Sequence, residues 1–209
     1  PRWIQAVHLG LGGPLFTFQS PLPFYGMDLL YRLGVPHPLG WRVLMALGYV
    51  VAAGGMYGLV YRLTRRWIPA TVAAVAFVYA PYLVRVVFDR GSNEAFSLFL
   101  YPWVLWALLR LAERRSVPRF VLAAGAWALC IGMHVLGPLM LAPVASVVAL
   151  LLGWRYRTIA PLLALLVGGL LTAAVWLPMV PELAYVHLDW WEQTPSVQPA
   201  ANPIPLQML

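Results

Sequence analysis

The chain has 209 residues, of which 62% are hydrophobic and only 10% charged, with a mean hydropathy of +0.76. About a quarter of a soluble domain's residues are charged, so this composition excludes an ordinary soluble fold and makes lipid the natural solvent. The net charge is +7 and all fourteen basic residues are arginine, but they are not clustered as a nucleic-acid-binding patch would be.

Pro1–Gly40 is a Gly/Pro/aromatic segment carrying Gly10, Gly12, Gly13, Pro14, Pro21 and Pro23. Its apolar stretch Phe24–Leu33 is too short to span a bilayer and reads as an interfacial or re-entrant helix after a loop. Asp28 in that stretch faces water, and Phe16, Phe18, Phe24 and Tyr25 anchor the segment or line a cleft. The glycine loop lacks the preceding strand, following helix and lysine of a phosphate loop.

Six apolar runs follow: Trp41–Tyr61, Ile68–Phe88, Ala95–Leu111, Phe120–Leu136, Leu139–Leu152 and Ile159–Leu177. In lipid every backbone group must be satisfied within its own segment, so the runs are expected to be helices. Gly137-Pro138 is expected to turn the fourth run into the fifth. Pro81 and Pro102 are expected to interrupt two helices, freeing the carbonyls of Phe77 and Leu98. The small pairs Gly54/Gly58 and Gly169/Ala173, each four apart, are expected to allow close helix approach. The single cysteine, Cys130, excludes an internal disulfide and reads as a packing residue. After Leu177 comes a mixed segment and then a proline-rich tail, Thr194–Leu209.

The sequence therefore predicts an all-α polytopic transmembrane bundle of about six spans. Residues 1–40 form an outer loop and short interfacial helix, 41–177 the transmembrane domain, and 178–209 an outer segment leading onward. Arg62, Arg65, Arg66, Arg110, Arg114, Arg115, Arg119, Arg155 and Arg157 fall on turns of one face, and six of the seven acids fall on the other. Arginine excess marks the cytoplasmic face, which places both ends of the chain outside. Trp41, Trp67, Trp154 and Trp176 lie near run ends, as in an aromatic belt.

The sharpest polar cluster is Arg85, Asp89, Arg90, Ser92, Asn93 and Glu94, between the second and third runs. Arg85 and Asp89 share a helix face, Gly91 breaks the helix, and Ser92 or Asn93 can cap the next one. Arg85 and Arg90 are candidates for binding a lipid phosphate. Asp89 and Glu94 are candidate catalytic carboxylates and candidate ligands for a divalent ion such as Mg²⁺ or Mn²⁺. His134, at the outer end of the fourth run, is a candidate hydrogen-bond donor or base. The bland reading of the same residues is a set of interfacial salt bridges and a backbone-bonded histidine. His8, His37 and His187 are scattered, and no His/Cys/acid spacing reads as a zinc site.

The succession Pro1-Arg2-Trp3, Gly10-x-Gly12-x-Pro14-Leu15-Phe16 and Ser20-Pro21-Leu22-Pro23-Phe24-Tyr25, then Met56-Tyr57, Tyr79-Ala80-Pro81-Tyr82, Arg90-Gly91-Ser92-x-Glu94-Ala95, Pro102, His134 and Ala174-Val175-Trp176-Leu177-Pro178, runs through most of the chain. It resembles the bacterial membrane proteins related to 6-pyruvoyl-tetrahydropterin synthase. The soluble synthase itself holds a histidine-bound zinc, which nothing here matches. The family in turn resembles the GT-C superfamily of membrane glycosyltransferases. That resemblance implies a module of about seven spans, here lacking its first, in the cell membrane. It implies transfer of sugar from a polyprenyl-phosphate carrier to an acceptor at the outer surface, with a catalytic Asp upstream of Pro1 and a further acid in the loop holding Asp89 and Glu94. Two rivals are a transporter or flippase of lipid-linked glycans and a non-catalytic membrane scaffold. The scaffold predicts that Asp89, Glu94 and His134 lie scattered.

Overall fold

A computed structural model describes residues 19–182 and Ala184, and all regular structure among them is helical. The glycine loop, Phe16, Phe18, His8, His187 and the proline-rich tail lie outside the described residues. The helices are α1 (Leu22–Arg32), α2 (His37–Thr64), α3 (Trp67–Val78), α4 (Pro81–Val84), a π-helical turn (Arg85–Asp89), α5 (Glu94–Leu98), α6 (Tyr101–Glu113), α7 (Val117–Met133), α8 (Leu136–Tyr156), α9 (Ala160–Leu171), α10 (Ala173–Trp176) and α11 (Met179–Glu182).

Three elements are long and apolar enough to cross a membrane: α2, α5–α6 taken together, and α8. Two bent pairs raise this to five: α3 with Pro81–Asp89, bent by 41°, and α9 with Ala173–Glu182, bent by 50°. The remaining run, the fourth, is α7, an apolar helix of 17 residues. At 1.5 Å per residue it reaches about 25 Å, just short of the hydrocarbon core. The short helix expected at 24–33 is α1, and its Asp28 lies exposed and paired with Arg32 at 2.7 Å.

Prolines mostly mark where helices begin. Pro23, Pro38, Pro81, Pro102, Pro118 and Pro161 each occupy one of the first two positions of their helix, where the missing N–H removes no intrahelical bond. Pro81 thus restarts a helix across the 41° bend of its span, and Pro102 starts α6 within the α5–α6 span. The freed Phe77 carbonyl accepts from the Ala80 N–H at 3.1 Å. The turn between α7 and α8 falls at His134-Val135, three residues before the expected Gly137-Pro138. Pro138 instead sits in the first turn of α8, where a helix tolerates it.

The centre of the bundle is α5–α6, which is 67% buried where α2 and α8 are 17% and 28%. It packs against α2, α7 and α8, and α6 also meets α9. The outer helices turn large apolar side chains outward, including Val50, Leu63, Val72, Leu139, Leu166 and Leu171, as a bundle dissolved in lipid requires. The close approaches sit one position away from those expected. Gly48, Ala52 and Gly55 form one face of α2, and a Cβ on Gly48 would overlap Phe99, while one on Gly55 would lie 2.6 Å from the Trp103 ring. Gly54 and Gly58 have room. Likewise Gly168, not Gly169, meets a neighbour, with the Ala124 carbonyl 2.5 Å from its would-be Cβ. A one-residue shift rotates a helical position by about 100°, so spacing alone does not identify the facing pair.

The arginine-bearing turns gather at one end. Arg62 of α2 is paired with Glu113 of α6, with Nε 2.9 Å from Oε2. Arg115, after α6, donates to the carbonyls of Tyr156 and Arg157 at the end of α8. Two of the four belt tryptophans, Trp67 and Trp154, are exposed at this end. Trp41 packs edge-on against Phe96, and Trp176 donates to the Gly169 carbonyl.

Candidate functional site

The opposite end of the bundle is built around the break between the second and third apolar runs. After Pro81 the helix widens into the π-helical turn, and the Arg90 N–H bonds the Arg85 carbonyl five residues back at 3.1 Å. Gly91 then adopts φ +55°, a conformation open to glycine without a Cβ penalty, and reverses the chain. The Ser92 hydroxyl accepts the Glu94 N–H at 3.2 Å, serving the first donor of α5 from one position before the N-cap. Asn93 makes no cap. Its side-chain amide donates to Gln19 at 2.7 Å.

This route carries Glu94 inward to 7% exposure. A buried carboxylate is costly unless paired and hydrogen-bonded, and Glu94 has both. Its Oε1 accepts from the Tyr82 hydroxyl at 2.6 Å, and its Oε2 lies 3.6 Å from Arg90, whose side chain is half exposed. Arg85 and Asp89 form a separate, looser pair at 3.9 Å, both well exposed. Each carboxylate therefore has its own arginine. Among the described residues no three His, Cys, Asp or Glu side chains are placed to hold a metal ion.

His134 is buried in the α7–α8 turn. Its Nδ1 accepts the Gly137 N–H at 3.1 Å, so in the neutral ring Nε2 carries the proton. Burial holds its pKa below the ordinary 6.5. The negative charge of Glu94 opposes that shift and the Arg90 charge adds to it. His134 is thus neutral at pH 7, with its lone pair occupied and its N–H free to donate. That arrangement suits the donor role and not the base role. Of the sequence candidates, Arg90, Glu94 and His134 share one electrostatic neighbourhood, while Arg85 and Asp89 flank it outside.

Several polar residues that spacing did not single out complete the site. Tyr82 is the partner of Glu94. Tyr101 donates to the Gly137 carbonyl. The Ser97 hydroxyl donates to the Glu94 carbonyl at 2.8 Å, and the buried Cys130 thiol lies 3.6 Å from the Ser97 carbonyl. Ser20, fully buried, donates to the Ile131 carbonyl at 3.1 Å and, with Gln19, ties the segment before α1 across this end. The one available signal was Tyr82 following Pro81, since a residue just inside a proline-started turn is held where it can face the next helix.

Beside the polar cluster runs an apolar groove of about 480 Å³, between α2 and the broken α3–α4 span. Tyr49, Val50, Ala53, Val78, Tyr79, Val84 and Phe88 line it. Val84 and Phe88 of the lining flank Arg85 in the chain, and the lining itself carries no charged residue. The Tyr49 hydroxyl is buried with no hydrogen-bond partner among the described residues.

Comparison with curated proteins and with solved structures finds no match. A family model described as a 6-pyruvoyl-tetrahydropterin synthase related domain of a membrane protein matches residues 16–197. The match takes in the whole helical bundle and both halves of the polar cluster, and the chain belongs to this family of membrane proteins.

Proposed function

We propose that this chain is the membrane module of a GT-C-like glycosyltransferase, moving a sugar from a polyprenyl-phosphate carrier to an acceptor hydroxyl at the outer face of the cell membrane. The observation that carries the reading is the buried Glu94 carboxylate, held between Tyr82 and Arg90. A lipid carrier is an apolar chain ending in a phosphate, and an apolar groove whose lining residues Val84 and Phe88 flank Arg85 in the chain matches that order of chemistry.

In the reaction the acceptor oxygen bonds the anomeric carbon, and the bond from that carbon to the phosphate oxygen breaks. The polyprenyl phosphate leaves with the electron pair, its charge met by Arg90 and Arg85. The acceptor proton passes to a carboxylate base, a role the superfamily resemblance gives to an aspartate. Glu94 receives the acceptor hydroxyl, and the His134 N–H supplies a neutral hydrogen bond. Asp89 keeps Arg85 at the rim.

The test uses full-length protein in vesicles supplied with radiolabelled polyprenyl-phosphate hexoses and pentoses, following release of sugar from the carrier. Glu94→Gln and Arg90→Gln are each expected to slow release by about a hundredfold. Near-normal turnover in both removes these residues from the reaction. The two bent spans favour a second reading, a carrier-lipid transporter, because broken helices recur in transporters. Movement of labelled carrier across sealed vesicles without sugar release would select it.

A further inference from the structure

At the arginine-rich end a second cavity, of about 460 Å³, is lined by Leu151, Trp154, Arg155 and Arg157. Its volume is in the range of small-ligand sites. On a continuing helix, residues two apart point roughly 200° from each other. Here α8 ends at Tyr156, the following Arg157 takes a left-handed φ of 50°, and both arginines line the same cavity.

A cation at a helix C-terminus is often explained by the carbonyls it neutralises. Other donors already serve part of that need. Arg115 donates to the Tyr156 and Arg157 carbonyls, and the backbone N–H groups of Arg157 and Thr158 take the Gly153 carbonyl. No acid pairs with Arg155 or Arg157 among the described residues, and Glu113, the acid at this end, is held by Arg62. Trp154 is 84% exposed beside them, and Leu151, also exposed, supplies an apolar wall. Two cations, an amphipathic ring and an apolar wall at a membrane boundary match a phosphodiester head group with its acyl chains entering the bilayer.

We propose that Leu151, Trp154, Arg155 and Arg157 form a binding site for an anionic phospholipid. The site lies at the opposite end of the bundle from Glu94 and does not rest on the glycosyltransferase reading.

The test is native mass spectrometry of the full-length protein in neutral detergent, titrated with phosphatidylglycerol or phosphatidylcholine. Wild type is expected to retain phosphatidylglycerol preferentially. R155Q/R157Q is expected to lose that retention by roughly thirtyfold, about 2 kcal/mol at 1.4 kcal/mol per factor of ten, one for each arginine. R65Q/R66Q is the matched control, since Arg65 also caps a helix with φ 57° but lines neither cavity described here. Equal loss in both variants means diffuse surface charge and overturns the site. Displacement by equimolar inorganic phosphate also overturns the lipid assignment. A second readout does not depend on the double variant folding. Phosphatidylglycerol brominated on its acyl chains should quench the Trp154 fluorescence, taken as wild type minus Trp154→Phe, more than brominated phosphatidylcholine does. Equal quenching sinks the proposal.

Discussion

The Tyr82 hydroxyl donates to the Glu94 carboxylate at 2.6 Å, joining the turn after Pro81 to the first residue of the central span. The bond crosses the chain reversal at Gly91 and satisfies a charge that the fold has taken out of water. Tyr82→Phe leaves that carboxylate one donor short and should destabilise the protein by about 1–3 kcal/mol. Glu94→Gln should remove most of the added cost of Tyr82→Phe. A double-mutant cycle on thermal unfolding in micelles checks it, and strictly additive losses would show that the bond contributes nothing.

His134 sets a pH dependence. Its folded pKa lies below the 6.5 of the unfolded chain, so above 6.5 both states are neutral and the contribution is complete. Below 6.5 the unfolded chain takes a proton that the folded chain refuses, and stability falls with pH until the folded pKa is passed. His134→Asn keeps an acceptor for the Gly137 N–H and cannot titrate. The wild-type unfolding temperature should drop between pH 7 and pH 5 relative to this variant, and parallel curves would reject the assignment.

Gly168 and Gly169 give a sharp contrast. An added methyl at 168 would meet the Ala124 carbonyl, which is backbone and cannot rotate aside. Gly168→Ala should cost about 1–3 kcal/mol. Gly169→Ala meets only the edge of Trp127, at 4.0 Å, and should be neutral or stabilising by up to about 1 kcal/mol. Unfolding midpoints of the two variants decide it. Equal destabilisation would mean that α7 and α9 do not touch at 168.

Orientation can be read with introduced cysteines, because the native thiol, Cys130, is buried. Asp89 and Arg114 are both exposed, at opposite ends of the bundle. A membrane-impermeant maleimide on intact cells should label Asp89→Cys at once and Arg114→Cys only after lysis. The reverse pattern would turn the Glu94 site towards the cytoplasm and remove the case for an outer-face reaction.

The helical bundle was legible because apolar runs of membrane length admit one backbone solution, and the arginine turns were legible because charge cannot be hidden in lipid. Helix limits were less so. Pro81 and Pro102 read as interruptions, yet the same missing N–H that breaks a helix also starts one, and local sequence does not say which. Gly54/Gly58 fitted a spacing rule that Gly48/Gly55 satisfies in space, because the facing side is chosen by Phe99 and Trp103 on another helix. In the site, Arg85–Asp89 was visible as a pair four apart. The more buried arrangement of Tyr82, Arg90, Glu94 and His134 depends on a chain reversal and on a turn forty residues further along.

The π-helical turn at Arg85–Asp89 holds one residue more than an α-helical turn would. Loss of any single residue there would let the segment relax into ordinary helix without disturbing the apolar run. Everything after it would shift relative to the residues before it, taking the Glu94 carboxylate off the Tyr82 hydroxyl. Insertion of a residue is harmless in many surface loops, but this segment is a phase setting between two spans. Its length, more than its composition, is what variation in related chains should leave untouched.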